Sequence, residues 1–485
     1  MVGLEDLLSR YPFEREWARR QLEAWVKSGR AVAVPRGDGG PVQYAAPGNL
    51  EQVQRGTLGL LRREVITCQP PQFVEFVSRW QRLHPADQKG GPEGLAEVLE
   101  RLEGLPLPVE AWEQTVLPTR VPGYQPRWLA EWVSGGAGVW VGLGSGEAGV
   151  DLAAFVGRPM LAQLAPPDYP DAPPLSEAAE KVAALLQQRG ALFLTDLACD
   201  TGLSPSEVRQ ALWALARRSR VSNDQLDVLR RGEVTDAPAD TSKRGTSLRS
   251  LRRTATLRPE GRWSLLGWGR PSPEEHALAQ CHLLLQWYGV VARELALMSP
   301  WLLPWRVLYE VLSRLEMAGE VRRGYFVEGL SGAQFGLPEA ADLLQEVHAP
   351  STAAAAPLLL NSADPANLYG SGAPLDVPLL DGGTRPLLRR PGNWLVLKAG
   401  RPVLLIEQQG KKLTALASAS RDDVAAAVKT LPGILDRSQA GTARHKLTVE
   451  EWNGRPVTST EGRELLEAAG FVRDYQSLTL YAAYR

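Results

Sequence analysis

The sequence predicts a multidomain α+β protein in which tandem winged-helix (helix-turn-helix) domains are followed by a β-rich, barrel-like α+β domain. Three observations carry this reading. A helix–stop–strand unit recurs along the 485 residues, the hydrophobic period changes from helical to alternating beyond about residue 350, and the chain is too long for one core.

The unit is clearest in "LSRLEMAGEVRRGYF", residues 312–326. Leu308, Val311, Leu312 and Leu315 follow the i, i+3, i+4, i+7 rule of an amphipathic helix. Gly319 then supplies a left-handed stop, and Val321 opens a strand. The same pattern lies earlier at Val208, Ala211, Leu212 and Leu215, with Val221 at the strand start. It lies earlier still at Ala18, Leu22 and Trp25, with Gly29 at the stop and Gln21 breaking the apolar series. Three copies suggest a repeated supersecondary unit.

What precedes the second copy names the unit. In "RGALFLTDLACDTGLSPSE" a short helix ends near Cys199, the chain turns at Gly202, and a new helix begins after Ser204 with Pro205 at its first position. Ser204 and Glu207 have the spacing of a capping box, and Ser272, Pro273 and Glu275 repeat it. Helix, turn, helix and a following hairpin make a winged helix.

In order, the chain reads as a winged helix at 1–48, a helical and winged-helix-like domain at 51–165, a winged helix at 176–232, a basic flexible linker at 233–270, a winged helix at 271–345 and the β-rich domain at 346–485. In the last, "NWLVLKAGRPVLLIEQQGKKLTAL" reads as strand, turn, strand, turn, strand.

Net charge is −1, so a nucleic-acid surface must be local. The candidates are Ser206, Arg209, Gln210 and Trp213 on one third helix and Arg306 and Arg314 on another, all read as exposed. The wing adds Arg322, Arg323 and Tyr325. The tract "KRGTSLRSLRRTATLRPEGR" sets Lys243, Arg244, Arg249, Arg252, Arg253, Arg258 and Arg262 against Glu260 alone, which suits non-specific phosphate binding.

Other chemistry is not expected. There is no G-x-x-x-x-G-K-[ST] loop, and "GSGEAG" at 144–149 opens no βαβ unit. The five histidines are scattered, and Cys68, Cys199 and Cys281 are isolated, so neither a metal site, a cofactor nor a disulfide framework is expected. With no long apolar run and no basic-then-apolar N-terminus, the expected location is the cytoplasm, without membrane contact.

Several longer phrases resemble the C-terminal region of the bacterial Lhr (large helicase-related) superfamily 2 DNA helicases. They include "RGTLGLLRREVITCQPPQFVEFVSRWQRLHP", "PWRVLYEVLSRLEMAGEVRRGYFVEGLSGAQFGLPEA", "NSADPANLYG" and "PGNWLVLKAGRPVLLIE". The resemblance implies a nucleic-acid-binding module of a repair helicase without its RecA-like motor. It further implies DNA, single- or double-stranded and bound without sequence specificity, as partner, a motor on a separate chain, and oligomerisation in some members. The arrangement is also similar to the AlkZ-type DNA glycosylases, which implies an alternative: removal of uracil or another altered base. The Q-x-Q signature of those enzymes is matched only by Gln52-Val53-Gln54, outside its expected context. A glycosylase needs a base pocket and a carboxylate, for which Asp474, beside Phe471, Arg473 and Tyr475, is the candidate. Asp364, Asn367 and Tyr369 form a second cluster that reads rather as a turn. A third reading is a module that assembles with protein alone.

Overall fold

A computed structural model describes residues 1–485 apart from 36–39, 145–151, 170–171, 233–260, 300, 349–355, 371–374, 381, 386, 437–444 and 483–485. Among the described residues, five three-stranded antiparallel sheets share one strand order, with the last strand in sequence lying between the other two; one lies in the C-terminal domain and four precede it. The first comprises β1 (Val2–Gly3), β2 (Val32–Val34) and β3 (Gln43–Ala45). The second comprises β4 (Leu107–Pro108), β5 (Gly138–Leu143) and β6 (Leu152–Gly157). The third has β7 (Leu192–Phe193), β8 (Val221–Asn223) and β9 (Arg262–Leu265), and the fourth β10 (Val290–Val291), β11 (Arg322–Gly324) and β12 (Gln334–Gly336). Each of these four sheets belongs to one helix-turn-helix module.

The first module holds α1 (Leu4–Arg10) and α2 (Arg15–Lys27), and α3 (Pro47–Glu64) leads out of it. After α4 (Pro70–Trp80), the second holds α5 (Gly91–Arg101), helical turns over 109–120 and α6 (Pro126–Ser134). The third holds α7 (Glu177–Arg189), α8 (Leu194–Thr201) and α9 (Pro205–Arg217). The fourth holds α10 (Pro273–Tyr288), α11 (Arg293–Ala296) and α12 (Trp305–Ala318), and α13 (Pro338–His348) follows it.

Local sequence explains these boundaries. Ser204 Oγ accepts from the Glu207 amide at 3.3 Å while the Glu207 carboxylate accepts from the Ser204 amide at 2.8 Å, so both capping bonds form. Ser272 and Glu275 do the same at 3.3 and 2.7 Å. Each module's last helix ends on a left-handed residue: Gly29, Gly136, Ser219 and Gly319, with φ of 71°, 80°, 55° and 80°. In three of them the next amide reaches back five residues, Arg30 to Trp25, Arg220 to Leu215 and Glu320 to Leu315, which is the Schellman arrangement. Ser219 tolerates the strained conformation because it is fully buried and its hydroxyl donates to the Gly142 carbonyl at 2.8 Å.

Two expectations are corrected. The basic segment is not a linker between modules, because β9 is the middle strand of the third sheet. The basic segment therefore falls, in sequence, between two strands of one module, and its residues 233–260 lie outside the described residues. The sequence hid this because β9 is only four residues, "RWSL", with Trp263 as its one buried anchor. The barrel is likewise not closed among the described residues.

The C-terminal domain contains β13 (Leu358–Asn361), β14 (Val377–Pro378), β15 (Thr384–Arg385), β16 (Trp394–Lys398), β17 (Arg401–Glu407), β18 (Lys412–Ala415), β19 (Lys446–Val449), β20 (Glu451–Trp452), β21 (Arg455–Pro456), β22 (Val472–Asp474) and β23 (Ser477–Tyr481). Its main sheet runs β13-β16-β17-β18-β20-β21 and leaves two unpaired ends, whereas a barrel requires the end strands to pair. The helix Arg421–Val428 packs on β17. No described helix is long and apolar enough to cross a membrane.

The modules are fused through buried aromatic residues. Trp140 on β5, Trp213 on α9 and Trp263 on β9 are each at most 1% exposed, with ring centroids 5.9–6.4 Å apart. Trp140 Nε1 donates to the Asn223 carbonyl at 3.0 Å, so the second and third modules share one interior. The C-terminal domain docks on α4 at Gly400, where a Cβ would sit 1.8 Å from the Pro71 carbonyl oxygen.

Candidate nucleic-acid interface

In a winged helix the last helix of the helix-turn-helix and the hairpin after it face the nucleic acid. α12 offers the more open such face. Leu308, Val311, Leu312 and Leu315 are buried, which turns Arg306, Val307, Glu310 and Arg314 outward. The Arg306 side chain is 90% exposed and lies only 3.8 Å from Glu310, while Arg314 lies 3.3 Å from Glu274. Both guanidiniums can reach a phosphate by exchanging these weak exposed pairs.

α9 presents less. Ser206 and Gln210 are exposed and Arg209 is half-buried. Trp213, expected on the outer face, is 1% exposed and packs against Trp140 and Trp263. The correction has a physical reason: β5 of the second module packs along α9, so the helix has a second buried face that its own periodicity does not announce.

The wing of the fourth module is also more engaged than expected. Arg322 pairs with Asp342 at 3.3 Å, and the Arg323 guanidinium lies over the rings of Tyr309 and Phe335 at 5.6 and 5.8 Å. α3 packs beside β11, and the Cys68 amide donates to the Phe326 carbonyl at 2.8 Å, so one edge of the wing is covered. Of the three expected wing residues Tyr325 is the exposed one, at 69%, while its carbonyl accepts from Thr67 at 2.7 Å. Lys243, Arg244, Arg249, Arg252 and Arg253 lie outside the described residues.

The carboxylates considered for base excision separate into two kinds. Asp474 ends β22 at a hairpin tip, followed by Tyr475, which is 92% exposed with φ of 52°. Phe471 is buried behind it. Asp364 is fully enclosed: both its oxygens accept from Arg120, at 2.8 Å each, and Oδ1 also accepts from the Ala366 amide. Asn367 donates to the Ser362 carbonyl and the Tyr369 hydroxyl to the Gly400 carbonyl, so this cluster is a hydrogen-bonded turn.

The sequence did not suggest a cleft of about 580 Å³ between the second module's hairpin, residues 164–169, α10 and residues 301–304. Tyr169, Trp301 and Leu302 give it aromatic and apolar walls, and His276 and Gln280 add polar groups. His276 Nδ1 accepts from the Ala165 amide at 3.1 Å, and burial lowers its pKa, which favours the neutral ring. Its lining comes from four separate stretches of chain, which no local motif could have revealed. Three exposed aromatics of the first module, Tyr11, Phe13 and Trp17, were also missed. Their close spacing around Pro12 at a helix start was the available signal.

Comparison with known proteins now bears on this arrangement. Residues 68–156 and 270–356 each match a family described as large helicase-related protein, winged-helix domain. The chain is 30% identical over 434 residues to the "Lhr helicase/ probable uracil glycosylase" of Mycolicibacterium smegmatis (strain ATCC 700084 / mc(2)155), covering 84% of this chain and 27% of that protein. It is 28% identical over 413 residues to the "Lhr helicase/uracil glycosylase" of Escherichia coli (strain K12), covering 80% and 26%. The chain thus spans about a quarter of the length of the curated relatives it matches. Among solved structures, Streptomyces sahachiroi DNA glycosylase AlkZ aligns with a TM-score of 0.47 at 17% identity, covering 80% of this chain and all of that one. The second and fourth modules are therefore winged-helix domains of the large helicase-related protein family, and the chain is a relative of the Lhr helicases.

Proposed function

We propose that this chain is a DNA-binding, repair-associated module of an Lhr-type helicase system, gripping nucleic acid through its winged helices and working with a helicase motor carried elsewhere. The observation that carries the reading is the match of residues 68–156 and 270–356 to Lhr winged-helix domains, within an array of four sheets of one strand order. Exposed Arg306 and Arg314, half-exposed Arg209, and Gln210 and Tyr325 supply contacts on the folded surface. Lys243, Arg244, Arg249, Arg252 and Arg253, which fall in sequence between β8 and β9, add a mainly electrostatic grip without sequence preference. Fluorescence anisotropy with labelled single- and double-stranded oligonucleotides tests it. Binding that weakens steeply between about 50 and 200 mM salt is expected, and no binding at the lower salt overturns the proposal.

A second reading is favoured by the aromatic-walled cleft of about 580 Å³ and by the glycosylase activity in both relatives' names. In it the chain excises uracil or another altered base extruded into that cleft. Asp474, the carboxylate proposed for this chemistry, is not among the residues lining the cleft. Alkali treatment of labelled uracil-containing DNA after incubation tests this reading; intact strands beside a working control glycosylase overturn it.

A further inference from the structure

Besides Trp25, the first module exposes three aromatic side chains that its own core does not use. Tyr11, Phe13 and Trp17 are 51%, 43% and 46% exposed. They form a row: Tyr11 and Phe13 are stacked with centroids 5.4 Å apart and planes 21° apart, and Phe13 meets Trp17 at 5.1 Å. Exposed rings scattered singly need no explanation, but a contiguous row does.

Their place in the module matters. Tyr11 follows α1, Phe13 lies in the turn, and Trp17 is in the first turn of α2. The turn and the start of the second helix are the part of a helix-turn-helix nearest its nucleic acid. Trp17 stands twelve residues before the left-handed stop at Gly29, and the matching positions before Ser219 and Gly319 are Glu207 and Val307. Both are exposed, so this position points outward in the third and fourth modules too.

The charge around the row suits a polynucleotide. Residues 10–20 contain four arginines against Glu14 and Glu16. Arg15 pairs with Glu5 and Arg19 with Glu16, each at 2.8 Å. Arg10 and Arg20 have no ion-pair partner among the described residues. A duplex keeps its base faces stacked and offers flat rings little, whereas an unpaired strand presents π-faces and phosphates together.

We propose that Tyr11, Phe13 and Trp17 form a stacking platform for the bases of single-stranded nucleic acid, with Arg10 and Arg20 on its phosphates. This rests on the DNA-binding reading above and adds to it a site and a strand preference. The rings take successive bases irrespective of sequence, because every base has a π-face.

The test uses the full chain, a fluorescent oligo(dT) strand and an abasic strand of equal length. The double variant Phe13→Leu/Trp17→Ala should bind oligo(dT) about tenfold more weakly. It should bind the abasic strand as the unaltered chain does and show the same salt slope, because stacking releases no counterions. Trp17→Phe should restore most of the loss, and matched thermal melts show that folding is intact. Undiminished oligo(dT) binding, including the case in which the rings serve a protein partner, overturns the platform while leaving the DNA-binding reading standing. An equal loss on the abasic strand also overturns it. If the unaltered chain binds neither strand, both proposals fall.

Discussion

Arg120 and Asp364, 244 positions apart, meet in a two-point ion pair with both side chains fully buried. Arg120 ends the helical turns of the second module, and Asp364 lies in the "SADPAN" turn of the C-terminal domain. Gln81 accepts a further bond from the same guanidinium at 2.9 Å. The turn therefore bolts the β-rich domain to the winged-helix array.

Removing either partner leaves a buried charge without its counterion. Arg120→Met or Asp364→Asn should each destabilise by roughly 3–5 kcal/mol, whereas Arg120→Met/Asp364→Leu should cost less than either single change. Denaturant melts of the three variants check this. A double variant at the sum of the singles would show that the two residues act independently.

Glu103 is the carboxyl with a distinctive pH signature. Burial pushes its pKa up to about 7, against the opposing hydrogen bond from the Gly157 amide at 2.7 Å. A raised carboxyl pKa means that the folded state holds its proton more tightly than the unfolded chain. The associated stability is complete below about pH 4.5 and disappears as pH rises through 7. Glu103→Gln keeps the acceptor oxygen without the charge. It should melt like the parent near pH 4 and be more stable near pH 8, by about 1–3 kcal/mol. Equal melting at both values would place the charged carboxylate in water.

The helix-turn-helix cores were legible because capping and periodicity are local. Ser204 with Glu207, Ser272 with Glu275, and the stops at Gly29 and Gly319 form as their spacing implies. The third module's stop escaped notice because Ser219 replaces glycine, and its hydroxyl is held by the Gly142 carbonyl, far away in sequence. The exposure of Trp213 was misread for a related reason: β5, from another module, supplies its second buried face. The sheets were the least legible part. Strands of two to four residues carry too few alternating positions to register, and β9 is separated from β8 by a long insertion.

The cysteines should divide by burial. Cys68 and Cys281 are inaccessible and burial pushes both thiols up to about 12, whereas Cys199 is exposed. A thiol reagent applied to native protein at pH 8 should label Cys199 rapidly and the other two only on unfolding. Mass spectrometry of the labelled peptides reads this directly, and early labelling at Cys68 would mean that the strap of residues 67–69 along the fourth wing opens readily.

The two third helices lead to opposite expectations for two residues that sequence alone grouped together. Trp213 is enclosed by Trp140 and Trp263, so Trp213→Ala opens a cavity shared by two modules and should cost about 3–5 kcal/mol of stability. Arg306 is 90% exposed, with one long contact to Glu310, so Arg306→Glu should change stability by no more than about 0.5 kcal/mol. On DNA the order reverses. The charge change at Arg306 should weaken binding to every sequence and flatten the salt slope, because a phosphate contact is lost and repulsion replaces it. Melts and anisotropy titrations on both variants separate the two roles. A stable Trp213→Ala protein with weakened DNA binding would return Trp213 to the interface, and an Arg306→Glu protein with an unchanged slope would remove α12 from it.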